Sequence, residues 1–127
     1  MRYILLALSF TIIGCSVQKK QPLKDYWIST YKNIAFIAAI KMAHPNLEKS
    51  DISPGVNFSL IGSDAFASEA DSLGKAFYNS IIPPMLYKEQ NLKAALNESL
   101  AFYKSKRLDK LARSAFKRFK DKEKAFR

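Results

Sequence analysis

Between residues 105 and 120 the chain places Leu108, Leu111, Ala112, Ala115, Phe116 and Phe119 along one line, with Lys110, Arg113, Lys117 and Lys120 opposite them. Apolar residues three and four apart return to one face of a 3.6-residue turn, so the pattern specifies an amphipathic α-helix. No window shows sustained period-two alternation, and no Asn-Gly or Asp-Gly hairpin signal or internal repeat is present. Strand-based folds need those signals. With 127 residues the chain is long enough for one domain and too short for two. The expectation is an all-α fold: a small single-domain bundle of about four helices.

The other helices emerge from the same spacing. Pro22 and Asp25 open a segment that runs to His44 without Gly or Pro, with Trp27, Tyr31, Ile34, Ala38 and Met42 on one face. Residues 34–40 are apolar nearly all round, which predicts a central helix contacted on several sides. Pro45 ends it, because the residue before proline disfavours the α region. Residues 46–62 are turn-rich and predict one long irregular connection, with a single helical turn at Leu47-Glu48-Lys49. Ser63 suits an N-cap with Asp64 in the first turn, and Phe66, Ala70, Leu73 and Phe77 make the next stripe. Gly74 within that stripe costs about 1 kcal/mol relative to Ala, a mark of close packing or of a weak point. Pro83-Pro84 stiffens the segment after it. A third long helix is expected over about 86–103 with Leu92, Leu96, Leu100 and Tyr103 on one face, and Ser105 caps a fourth. Beyond residue 120 the apolar pattern thins and the helix is expected to fray.

Composition removes several classes of chemistry. One Cys and one His exclude the common Cys/His zinc sites and any intramolecular disulfide. Four Gly leave little from which to build a phosphate cradle. The single imidazole, His44, stands at a helix end before Pro45, where it suits the helix dipole better than the role of a base. Glu69 and Asp71 are two apart and diverge on a helix. No enzyme, metal or cofactor is expected.

The N-terminus carries a different signal. Residues 3–14 are uncharged and come after Arg2. A membrane-spanning helix needs about 20 apolar residues, so the stretch has the length of a secretory h-region. It ends in Ile12-Ile13-Gly14-Cys15, which resembles a bacterial lipobox, in which the cysteine is lipidated and becomes the first mature residue. The alternative is an ordinary buried Cys in a hydrophobic N-terminal helix. On the lipobox reading residues 1–14 are a lipoprotein signal peptide, and 15–21 are the lipidated Cys15 and a polar tether. Residues 22–120 are then the helical domain, and 121–127 a basic tail. Ser16 after the cysteine, where an inner-membrane retention signal would show Asp, favours a lipid-anchored periplasmic location at the outer membrane.

The formal charge is +10, and residues 104–127 hold eleven Lys/Arg against Asp109, Asp121 and Glu123. Three uses of this segment stay open: a solvated helix face, contact with an anionic membrane or acidic partner, and nucleic-acid binding. A secretion signal argues against nucleic acid, which is not expected as a partner.

The run Asn97-Glu98-Ser99-Leu100-Ala101-Phe102-Tyr103-Lys104-Ser105-Lys106-Arg107-Leu108-Asp109-Lys110-Leu111 resembles the penultimate-to-last helix junction of the type VI secretion amidase immunity proteins. Leu100, Phe102, Tyr103, Ser105, Leu108 and Leu111 fit that family's Leu-x-Phe-Tyr-x-Ser-x-x-Leu-x-x-Leu run. The Tyr/Trp- and Ala-rich helix over 25–43 is similar to the family's first helix. The resemblance implies a periplasmic homodimer that binds and blocks a papain-like, peptidoglycan-cleaving amidase. It places the contacts on the 63–78 helix and the 79–90 loop, with Ile81, Ile82, Pro83, Pro84, Met85 and Tyr87 as candidate partner-binding residues. Ile81 and Ile82 covering the core is the competing account. The family commonly carries a cysteine pair whose positions here correspond to Ala38 or Ala39 and to Ser99, so a bridge is replaced by small residues. The alternative function is a structural or accessory envelope lipoprotein without inhibitory role.

Overall fold

The computed structural model describes residues 23–51 and 63–124. Cys15, its tether, the 52–62 part of the connection and residues 125–127 lie outside them. The elements are α1 (Leu23–Ala43), a single turn α2 (Leu47–Ser50), α3 (Asp64–Ser80), a 3-10 turn (Met85–Tyr87), α4 (Ala95–Lys104) and α5 (Lys106–Lys124). The fold is a small all-α bundle, with no strand among the described residues.

α1 is the central helix, packed against α3, α4 and α5. An element apolar on most sides can be buried only by neighbours on several sides, which is why the 34–40 composition foretold this position. Aromatic contacts set the directions of the helices. Trp27 and Tyr31 of α1 meet Phe66 of α3 edge-on, with ring centroids 4.8 and 5.2 Å apart. Further along both helices, Gly74 of α3 lies against Ala35 and Ala38, so α1 and α3 run parallel. Parallel neighbours require the chain to return the length of the first helix before starting the second. That is the physical reason for a long connection between Ala43 and Asp64.

α4 and α5 run the other way. Phe36 meets Tyr103 at 5.7 Å, Lys32 pairs with Asp109 at 3.8 Å and Trp27 meets Phe116 at 5.8 Å. The chain from Ala95 to Lys124 is therefore one antiparallel path along α1, broken once at Ser105. There the backbone turns extended, and the Ser105 hydroxyl donates to the Phe102 carbonyl at 2.7 Å while accepting from the Leu108 N–H at 3.1 Å. The N-cap expected at Ser63 also forms, its Oγ accepting from the Phe66 N–H at 3.4 Å.

The core joins Trp27, Ile28, Tyr31 and Ala35 to Phe66, Ala70, Phe102, Leu108, Ala112, Ala115 and Phe119. Two sequence expectations need correction. The third long helix begins at Ala95, not near residue 86, because residues 85–87 form the 3-10 turn, 88–91 turn and 92–94 are irregular. Its buried face is Ala95, Ser99 and Phe102, whereas Leu92, Leu96 and Leu100 are exposed. The small residues let α4 approach α1 closely, and the leucines four apart fall on the outer side. α5 also continues through Lys124 rather than fraying at 120. Its last residues, Asp121 to Lys124, include Lys and Glu, which favour helix without needing a core contact.

Candidate interaction surface

Where α3 ends, two prolines dictate the path of the chain. Ile81 takes an extended conformation, with its N–H donating to the Tyr78 carbonyl at 3.1 Å. Pro83 and Pro84 then fix their own φ and bias the residues before them away from helix. The chain tightens into the 3-10 turn, with the Tyr87 N–H on the Pro84 carbonyl at 2.8 Å. Asn91 adopts φ 51°, the left-handed region that asparagine tolerates better than most residues, and the Leu92 N–H reaches the Tyr87 carbonyl at 3.2 Å. Lys93 docks this loop on the bundle. Its ammonium donates to the Tyr78 carbonyl at 2.9 Å, near the negative end of α3, and lies 4.4 Å from the Tyr78 ring centroid.

The framework holds apolar side chains in solvent. Met85 is 93% exposed, Leu86 89% and Ile82 84%, with Tyr87, Leu92, Leu96 and Leu100 also exposed. Such a concentration of large apolar groups on one segment marks an interaction surface. A groove of about 230 Å³ runs between Pro84, Tyr87 and Leu92, floored by Lys93 and Ala94. Across Leu92 lies a second depression of about 340 Å³, bounded by Ala43, His44, Tyr78 and Asn97. The loop therefore sits at the end of the bundle where α1 and α3 finish.

Of the residues expected at a contact, Ile82, Pro84, Met85 and Tyr87 are exposed, and Pro83 is half-buried. Ile81 is corrected: it is 8% exposed and belongs to the core. One residue beyond the α3 terminus, its side chain still turns inward, and the extended backbone sends Ile82 to the opposite side. Sequence reasoning missed Leu86, Leu92, Leu96 and Leu100. Leucines four apart look the same whether they face a core or a partner. The available hint was the small-residue face of Ala95 and Ser99, which matches the alanine-rich α1.

Glu69, Asp71 and Asp109 are engaged elsewhere. Glu69 accepts from the Tyr31 hydroxyl at 2.8 Å and pairs with Arg118, tying α1, α3 and α5 together. Burial, and next the hydrogen bond to Glu69, push the Tyr31 phenol well above its ordinary value. Asp71 pairs with Lys75 at 2.6 Å. Asp109 is held below the usual carboxylate range, chiefly by its hydrogen bond from Arg113 at 2.7 Å. Among the described residues no group of three or more His, Cys, Asp or Glu could hold a metal ion. What the surface offers chemically is apolar contact area on a stiff frame.

No known protein family, no curated protein and no solved structure matches this chain.

Proposed function

We propose that this chain is a periplasmic immunity protein, anchored at the outer membrane through a lipidated Cys15. On this reading it binds and blocks a papain-like peptidoglycan amidase delivered by type VI secretion. The observation that carries the proposal is the row Ile82, Met85, Leu86 and Tyr87, exposed on a segment stiffened by Pro83-Pro84 and pinned by Lys93. Fully burying one large apolar side chain contributes about 1.5–3 kcal/mol, and a pre-ordered loop loses little entropy on binding. A papain-like enzyme works through a Cys/His pair in a cleft. An apolar loop lodged in that cleft excludes the peptide stem without any chemistry of its own.

The location of the family-like run supports the reading, since Leu100 to Leu111 straddles the α4–α5 junction at Ser105. In the homodimer that the resemblance implies, Leu92, Leu96 and Leu100 form the stripe that a second copy would cover.

The test is rescue. Periplasmically targeted peptidoglycan amidases, including the product of any neighbouring amidase gene, are expressed with and without this chain. Rescue from lysis is expected, together with blocked stem-peptide cleavage by the purified chain from Ser16. Absence of both rescue and binding across the panel would sink the proposal and leave a structural or accessory envelope lipoprotein.

A further inference from the structure

The outward face of α5 is not used by the proposed toxin contact. Lys106, Lys110, Arg113, Lys117 and Lys120 recur at spacings of four, three, four and three, and all are exposed. The buried stripe Leu108, Ala112, Ala115 and Phe119 has the same periodicity on the opposite side of the helix. The five cations form a straight row about 21 Å long at 1.5 Å per residue. Asp109, beside the row, is neutralised by Arg113 at 2.7 Å and Lys32 at 3.8 Å. Lys106, Lys110 and Lys117 have no ion pair among the described residues.

We propose that this face docks on the anionic headgroups of a phospholipid bilayer, as a second membrane contact beside Cys15. Three observations select that occupant. First, the surface is an exposed, linear row of positive charge along one helix face, complementary to a flat anionic sheet. Second, Phe116 and Phe119 pack against the core, so among the described residues the face has no aromatic platform on which bases could stack. Third, α1 and α5 are antiparallel, with Trp27 against Phe116, so the chain enters the bundle at Leu23 beside the C-terminal half of α5. Residues 16–22 reach at most about 25 Å even when fully extended. A lipid at Cys15 therefore keeps the row close to headgroups. That proximity rests on anchoring at Cys15, whereas the charge complementarity does not.

A tether sets distance but not orientation, and a basic face sets both. The apolar 82–92 loop lies at the other end of α1, about 30 Å from Leu23 at 1.5 Å per residue, where docking leaves it open to a partner. No helix among the described residues is long and apolar enough to cross a membrane. The contact is peripheral.

The test uses the unlipidated chain from Ser16, which contains every residue of the described core. It is cosedimented with vesicles of phosphatidylethanolamine and phosphatidylglycerol, about three to one, and with neutral phosphatidylcholine vesicles. Each cation near an anionic surface contributes about fivefold in partition, so at least about a tenfold preference for anionic vesicles is expected. The preference disappears at about 0.5 M sodium chloride. Lys106→Glu/Lys110→Glu/Lys117→Glu/Lys120→Glu abolishes it with helicity unchanged by circular dichroism, and the corresponding four Lys→Gln changes serve if the first variant does not fold. Met85→Ser/Leu86→Ser, at the far end of the bundle, keeps the preference. Equal partition into neutral vesicles, no partition, retention by the folded charge variants, or preferential capture by duplex DNA would overturn the proposal. None of these results touches amidase inhibition, which is read separately by rescue.

Discussion

The bare Cα of Gly74 faces the backbone of Ala35: a β-carbon there would lie 2.1 Å from the Ala35 carbonyl oxygen and 2.8 Å from the Ala38 Cβ. Both neighbours belong to the central helix, so neither can swing aside as a flexible side chain would. Gly74→Ala gains about 1 kcal/mol in helix propensity and loses more through overpacking. The expected outcome is a net loss of about 2 kcal/mol or more, read as a lower urea midpoint with unchanged slope. A variant as stable as the parent would show that α1 and α3 can separate without cost.

Tyr31 and Glu69 link stability to alkaline pH. The folded state holds the Tyr31 proton well above the ordinary 10.0, whereas the unfolded chain releases it near that value. A raised folded pKa gives stability that is complete below about pH 10 and declines as pH rises beyond it. Tyr31→Phe should cost about 1 kcal/mol at neutral pH through the lost hydrogen bond and should flatten the alkaline decline. Urea unfolding between about pH 8 and 11 measures both effects. Absorbance at the phenolate band should show a Tyr31 component titrating above the ordinary 10.0, which Tyr31→Phe removes. Identical alkaline slopes in the two proteins would reject the assignment.

Ala39 of α1 and Ser99 of α4 are both fully buried. Ala39 lies three residues beyond Phe36 on the same face of α1, and Ser99 lies one turn before Tyr103, the ring that Phe36 meets at 5.7 Å. Because the helices are antiparallel, Ala39 comes opposite Ser99, while Ala38 faces Gly74. In a chain from Ser16, which lacks Cys15, Ala39→Cys/Ser99→Cys should oxidise spontaneously and raise stability by about 2–4 kcal/mol. Ala38→Cys/Ser99→Cys should keep both thiols, counted by a thiol reagent. Ser99 Oγ is buried with no hydrogen-bond partner among the described residues, so Ser99→Ala should be neutral or mildly stabilising.

Met85 and Leu86 separate folding from binding. Both are almost fully exposed, so Met85→Asp/Leu86→Asp should change stability by no more than about 0.5 kcal/mol. If the proposed function holds, the same pair should lose rescue against the amidase and weaken the complex at least about a hundredfold, since apolar anchors are replaced by charges that must be desolvated. Undiminished rescue by the folded variant would move the contact away from this loop.

Most of the elements were legible in the residues alone: the three- and four-residue spacings, the caps at Ser63 and Ser105, the stop at Pro45, and the central place of the alanine-rich α1. These are local, because helix formation and capping depend on residues within a few positions of one another. The proline-stiffened loop was legible for the same reason, although a one-residue question, whether Ile81 or Ile82 faces water, was not. Which apolar face of α4 is buried became clear only from packing. Periodicity identifies a stripe but not the surface it meets, and α1 accepts the small Ala95–Ser99 side because only that side permits close approach. Packing also brings Glu69 to both Tyr31 and Arg118, and sets the basic row and the apolar loop apart. Those relations join residues distant in the chain, and only the parallel and antiparallel arrangement around α1 brings them together or holds them apart.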